Sequence, residues 1–218
     1  MPCLESLIRM VYWIPQIIQD LKIVSMIFRR LIPLLKLWVT KVALRNPIFY
    51  YLNLLVPDAF HFNGRSRRPA EDCFNSALNF GYSILYSCFM GLIKKNGLSL
   101  GFGVIHKHHQ HHATLASDLM EEWRPIIVDN TLMELIRNGK LLLSHFENKD
   151  QDFILTDVGR EIFARALRSR ILEVHQYIEL DKKRYSFLYT ADRQIKSLIR
   201  AFRELDPSLY ETSYTGGH

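Results

Sequence analysis

Cysteine is scarce in this chain: only Cys3, Cys73 and Cys88 occur, and no two of them form a Cys-x-x-Cys pair. That excludes a zinc knuckle of paired thiolates and a disulfide framework, and it suits a reducing cytoplasm. Cys73 and Cys88 fall in an apolar stretch of helical spacing, where a small buried residue is the ordinary reading. Long unbroken apolar runs are missing too. The N-terminal segment is apolar, yet Arg9, Asp20, Lys22, Arg29, Arg30 and Lys36 interrupt it. No run there reaches the roughly twenty residues needed to span a bilayer. No small-residue cleavage site follows a short apolar core, so no signal peptide is read. The expectation is a protein without a membrane partner; a basic amphipathic surface helix is the competing reading of this segment.

A general excess of positive charge is absent as well, although the net charge is +6. Residues 1–56 hold seven Lys/Arg against two Asp/Glu, and the remainder holds 21 against 20. A nucleic-acid argument must therefore rest on local patches rather than on the total. Hydrophobic content of 48% is ordinary for a globular protein, so a packed core is attainable.

Several local patterns are present. VPDAFHFNGRSRRP, residues 56–69, reads as a linker in which Gly64 permits a positive φ and Pro69 suits the first turn of a following helix. Arg65, Arg67 and Arg68 make a compact basic patch there, suited to DNA phosphate contact; a solvated loop is the plainer alternative. Apolar spacing through Phe74, Leu78, Gly81, Leu85, Cys88 and Leu92 predicts a helix over 71–95, stopped by Lys94-Lys95-Asn96-Gly97. Gly81 marks a close helix approach, and Asn75 and Asn79, one turn apart, suit a polar helix contact. His106 closes a Gly-Phe-Gly turn and opens HKHHQHH, read as a polar loop in which only His106 is positioned. A loose transition-metal site on the other histidines is the alternative.

In SDLMEEWRP, Asp118, Glu121 and Glu122 stand at i, i+3 and i+4, so a helix puts them on one face. Ser117 could cap that helix, with the acids complementing its positive end; this is the structural reading of the cluster. With an imidazole from His106 added, the same carboxylates suit a hard ion, manganese or magnesium, better than a structural zinc. Pro125 must kink the helix or start another. Residues 153–160 read as a short extended piece with Thr156 as an N-cap, 162–189 as a helix, and 206–218 as a flexible tail, loosest over 214–218. A run such as LTDVGR also occurs in winged-helix proteins, which keeps a plain DNA-binding module as a rival.

Four blocks occur in a telling order: LVPDAFHFNGRSRRPAEDCFNSALNFGYSILY, NGLSLGFGVIH, SDLMEEWRPIIVD and FILTDVGREIF. Together they resemble the helical catalytic domain of the CRISPR-associated endonuclease/integrase of spacer acquisition, the Cas-one family, over residues 50–205. The resemblance implies an all-α fold and Mn2+- or Mg2+-dependent phosphoryl transfer on DNA. His106 and Glu121 would be the metal ligands, with Asp118 as a ligand or close support. Arg65, Arg67 and Arg68 would steady the DNA backbone. In integration a 3′-hydroxyl of the incoming fragment attacks a repeat-end phosphate; in hydrolysis, water does. Family members form homodimers joined to the small second adaptation protein, Cas-two. They carry an N-terminal β-rich domain for which this sequence shows no counterpart.

The family's remaining ligand is a glutamate in a Glu-Gly segment just before a Tyr-Phe pair. The equivalent stretch here, WVTKVALRNPIFYY at 38–51, contains no acidic residue. Codons for residues 38–49 read one base earlier are compatible with Met-Gly-Tyr-Glu-Gly-Ser-Leu-Ala-Lys-Ser-Tyr-Phe, which restores the motif. The expectation is that residues 1 to about 48 are a shifted translation, with a genuinely different N-terminal helix as the alternative. With one ligand lost, the chain is expected to be impaired; a non-enzymatic helical DNA-binding or interaction remnant is the second functional reading.

Overall fold

The computed structural model describes residues 52–101, 113–177 and 183–211. The segment expected to be out of frame, His106 with its histidine-rich run, and the 214–218 tail lie outside the described residues.

Helix α1 (Cys73–Lys95) is the central element. Phe74, Ala77, Leu78, Tyr82, Leu85, Phe89 and Ile93 recur at helical spacing and are all buried. Asp72 caps the start by accepting from the Asn75 backbone N–H at 2.7 Å, so the helix begins beyond Pro69 rather than on it. At the other end Gly97 takes φ +71°. The Leu98 N–H then reaches the Ile93 carbonyl and the Gly97 N–H the Lys94 carbonyl, the paired closure that lets a helix stop without orphaned carbonyls. By length and composition α1 could cross a membrane; here its apolar side carries the core.

The next helix, α2 (Thr114–Met120), starts at Thr114 after Ala113. Ser117 is therefore a buried mid-helix residue and not the cap expected of it. After a turn, a π-helical segment (Arg124–Asp129) with Pro125 in its first turn runs into α3 (Asn130–Arg137). Pro125 thus opens a new segment, as its missing amide donor requires.

A hairpin follows, β1 (Phe146–Lys149) antiparallel to β2 (Asp152–Leu155). Then comes α4 (Asp157–Leu172), capped by Thr156, whose hydroxyl accepts from the Gly159 N–H at 3.2 Å. The helix expected over 162–189 ends at Leu172. Strand β3 (Val174–His175) pairs with β4 (Tyr185–Ser186) before α5 (Phe187–Glu204) begins. Val174, His175 and Tyr177 include two β-branched or aromatic residues that favour extended backbone, and Ser186 caps the restart.

Among the described residues the fold is helical with two small ribbons. Its core gathers Trp123, Phe74, Phe89, Phe163 and Phe187, all fully buried. Trp123 meets the ring of Phe187 edge-on at 4.8 Å and that of Tyr177 at 5.2 Å. Gly81 is the close approach its position suggested: a Cβ there would fall 2.5 Å from Val128 Cγ1 and 3.1 Å from Phe163 Cζ. Only glycine lets α1, the π segment and α4 meet so tightly.

Candidate functional site

The candidate site lies where α2 runs into the π segment. Gly101 and Thr114 bracket the stretch carrying His106, and the Thr114 hydroxyl donates to the Gly101 carbonyl at 2.8 Å. The Ala113 N–H donates to the Tyr86 hydroxyl of α1 at 2.9 Å. Both ends of the stretch are therefore pinned beside the start of α2, the helix that bears Asp118.

Asp118 is 1% exposed. Glu121 follows one turn on, with its side chain 14% exposed and one oxygen 2.7 Å from the Arg124 guanidinium. Arg124 lies over the Tyr82 ring, 4.7 Å from its centroid, and the Tyr82 hydroxyl donates to Asp129 at 2.7 Å. Glu122 departs from the shared acidic face expected of it. It is 6% exposed and accepts from the Gln194 amide at 2.9 Å and the Tyr210 hydroxyl at 3.3 Å. Adjacent helical residues lie about 100° apart, so Glu122 points away from Glu121 and meets Gln194 of α5. Burial and the neighbouring Glu122 carboxylate hold the Tyr210 phenol well above its usual value. Gln194 in turn accepts from the Trp123 indole at 2.9 Å, so Glu122 serves packing.

The basic patch divides. Arg65 turns inward: it donates to Asn75 Oδ1 at 2.9 Å and to Asn79 Oδ1 at 2.5 Å, and lies 5.4 Å from the Tyr82 ring centroid. Asn75 also accepts from the Ser66 N–H and donates to the Gly64 carbonyl. The two asparagines thus bind the linker to α1. Arg67 and Arg68 are exposed beside them. Of the described thiols, burial, with Asp72 beside it, pushes Cys73 up to about 11, and burial raises Cys88.

Among the described residues, no group of three His, Cys, Asp or Glu side chains is placed to hold a metal. The donor set that is described, Asp118 and Glu121, has the hard oxygen chemistry that manganese or magnesium takes. Glu121 already takes the positive charge of the Arg124 guanidinium. The chemistry of Asp118 and Glu121 is compatible with a hard cation, and a third donor would have to come from outside the described residues.

The sequence singled out Asp118 and Glu121 but not the residues around this turn. Arg124 was legible as an i, i+3 partner of Glu121. No local signal announces Tyr82, Asp129, Gln194 or Tyr210, which arrive from other elements.

A family model described as CRISPR associated protein Cas1 matches residues 42–169. The chain belongs to the Cas1 family. The matched stretch begins inside the 38–51 segment and contains Asp118 and Glu121. The CRISPR-associated endonuclease Cas1 of Mycobacterium tuberculosis is 42% identical over 163 residues, covering 73% of this chain and 48% of that protein. A Thermus thermophilus CRISPR-associated endonuclease Cas1 is 34% identical over 114 residues, covering 52% of this chain and 36% of that protein. This Cas1-family chain thus spans about half the length, or less, of these curated relatives. Among solved structures, a Cas6-RT-Cas1–Cas2 complex matches with a TM-score of 0.70 at 25% identity, over 81% of this chain and 19% of that one. A Cas1 protein from Thermotoga maritima matches with a TM-score of 0.67 at 21% identity, over 84% of this chain and 63% of that one. The second likeness supports the fold.

Proposed function

We propose that this chain is the helical catalytic portion of a DNA endonuclease/integrase of CRISPR adaptation, acting on phosphodiester bonds with Mn2+ or Mg2+. The observation that carries the reading is the pair Asp118 and Glu121, held on successive turns inside the family-matched stretch. Glu121 would hold the ion together with His106, and Asp118 would act as a further ligand or orient one. Such an ion, when bound, supplies positive charge against the charge developing on a scissile phosphate. Arg67 and Arg68, exposed on the linker, would contact DNA phosphates. Arg65 would hold that linker in place through Asn75 and Asn79. The likeness to a Cas1–Cas2 complex supports a Cas2-type protein partner, and the family reading carries a homodimer and a cytoplasmic setting with it.

The reading includes impairment. The stretch 38–51 offers no acidic residue where the family pattern needs its remaining ligand. Loss of one such electrostatic group lowers a rate on the order of a hundredfold or more. The test is cleavage of labelled DNA by the purified chain across a manganese titration. Activity at or near background is expected, with any residual cleavage removed by His106→Ala. Robust manganese-dependent cleavage abolished by His106→Ala would overturn the impairment and keep the enzyme. A second reading, a DNA-binding remnant without chemistry, is favoured by the lack of an acidic residue in the stretch 38–51. It predicts DNA binding indifferent to manganese.

A further inference from the structure

We propose that Arg124 is a built-in competitor for the metal position at Glu121, so that a divalent ion must displace its guanidinium. This rests on the reading of Glu121 as a metal ligand given above.

Three observations carry it. First, Arg124 Nη1 lies 2.7 Å from Glu121 Oε1, and both side chains are only 14% exposed. Water screens such a pair weakly, and a guanidinium beside a carboxylate repels a second cation that approaches the same oxygens. Second, the backbone builds the pair. The Glu121 N–H reaches back to the Asp118 carbonyl and the Trp123 N–H to the Met120 carbonyl, and the chain then opens into the wider π turn that starts at Arg124. Inserted π turns recur at functional positions because they re-aim side chains within a helix. Here the turn sets Arg124 one step above Glu121. Third, Arg124 has somewhere else to rest. Its guanidinium is 4.7 Å from the Tyr82 ring centroid, within the range at which a cation is held by an aromatic face. The Tyr82 hydroxyl is fixed by Asp129 at 2.7 Å, so the ring is a stable platform. An ion taking the Glu121 oxygen leaves Arg124 on that face instead of stranding a buried charge.

Two cations thus compete for one carboxylate. Without a divalent ion, Arg124 neutralises Glu121 and keeps the turn ordered. With one, the pair opens, and part of the binding free energy is spent on opening it. Neutralising Arg124 should therefore tighten metal binding, the opposite of what losing a supporting residue does. Changes in the groups around metal ligands move affinity by roughly 10–100-fold, and about tenfold tightening is expected here.

The experiment is a Mn2+ titration of the full-length chain, followed by the electron paramagnetic resonance signal of free Mn2+, for wild type, R124Q, R124K and E121Q. R124Q should bind about tenfold more tightly than wild type, R124K should stay near wild type because it keeps the charge, and E121Q should bind more weakly than wild type. Equal or weaker binding by R124Q, with E121Q still impaired, would overturn the competition and leave the metal reading standing. Binding by E121Q equal to wild type would sink the metal reading, and the competition with it. A second measurement covers the case in which R124Q does not fold. In isotope-labelled wild type, the Arg124 guanidinium resonance, assigned by its loss in R124K, should shift as diamagnetic Mg2+ is added. A resonance that stays put at Mg2+ saturation would count against displacement.

Discussion

Glu121 and Glu122 are neighbours in sequence and opposites in structure. Glu121 meets the Arg124 guanidinium of the π segment at 2.7 Å, and Arg124 shares the Tyr82 ring of α1 with Arg65 of the linker. Glu122 meets Gln194 of α5 and Tyr210 beyond that helix, which donate to it from 72 and 88 residues away. A carboxylate set beside an exchangeable positive charge can be asked to take a metal. One surrounded by neutral donors from distant elements is a cross-link. Residue type is the same for both; adjacent positions lie about 100° apart on a helix, and that angle sends the two carboxylates to different partners.

Trp123, which directly follows the pair, should give the largest effect. It is fully buried, edge-on to Phe187 and Tyr177, and donates to Gln194. Trp123→Ala is expected to cost about 3–5 kcal/mol in denaturant unfolding and to weaken both sides of the comparison together. A loss confined to metal binding would mean that the two sides are not mechanically joined. Next comes the direct contrast. Glu122→Ala leaves the Gln194 amide and the Tyr210 hydroxyl without their acceptor and should cost about 1–3 kcal/mol, with Mn2+ binding largely kept. Glu121→Gln breaks a largely buried ion pair, at a cost that can reach about 3–5 kcal/mol, and should lose most Mn2+ binding. If both variants lose metal equally, the division of roles is wrong.

The linker arginines sharpen the same contrast between a tie and a contact. Arg65→Ala removes bonds to Asn75 and Asn79 and should cost about 1–2 kcal/mol of stability. The double change Arg67→Ala with Arg68→Ala should leave the melting temperature alone. It should weaken DNA binding and flatten its salt dependence by roughly one to two phosphate contacts. Unchanged DNA binding in the double variant would remove the linker from the proposed DNA path.

Elements whose signals are local were legible. Helix α1 was read to within two residues at its start, because apolar spacing, Asp72 and the Lys-Lys-Asn-Gly stop all lie in one window. Thr156 announced α4 in the same way. Ser117 misled because a capping residue looks the same inside a helix, and the true start at Thr114 depends on contacts with Gly101 and Leu100. The break after Leu172 was missed because 162–189 is rich in helix formers, and the β3–β4 pairing joins residues too far apart for periodicity to see. In the candidate site, Asp118 and Glu121 were singled out by the order of motif blocks. The contacts around them were not legible, since Tyr82 meets Asp129, and Gln194 and Tyr210 meet Glu122, only in three dimensions.

The smallest effect expected is also the one most cleanly signed, at a third carboxylate unlike either glutamate. Asp192 on α5 accepts from Asn96 at 2.9 Å and pairs with Lys95 at 3.1 Å and Lys196 at 2.7 Å. It thereby ties the end of α1 to α5. Partial burial works against its charge, but the hydrogen bonds from Lys196, Asn96 and Lys95 win and bring its carboxyl down to about 2. An unfolded aspartate titrates near ~3.9. A lowered folded value means that Asp192 stabilises the protein fully above that unfolded value, and that the contribution fades as pH falls through about 2. Asp192→Asn should therefore melt below wild type at neutral pH, and the gap should close between roughly pH 4 and pH 2. The lysines are solvent-facing, so the gap should be small and should shrink with added salt. Melts of both proteins across that range measure it. A gap that stays constant in acid would show that Asp192 acts through the Asn96 hydrogen bond, as Glu122 does through its neutral donors, and not through charge, as Glu121 does.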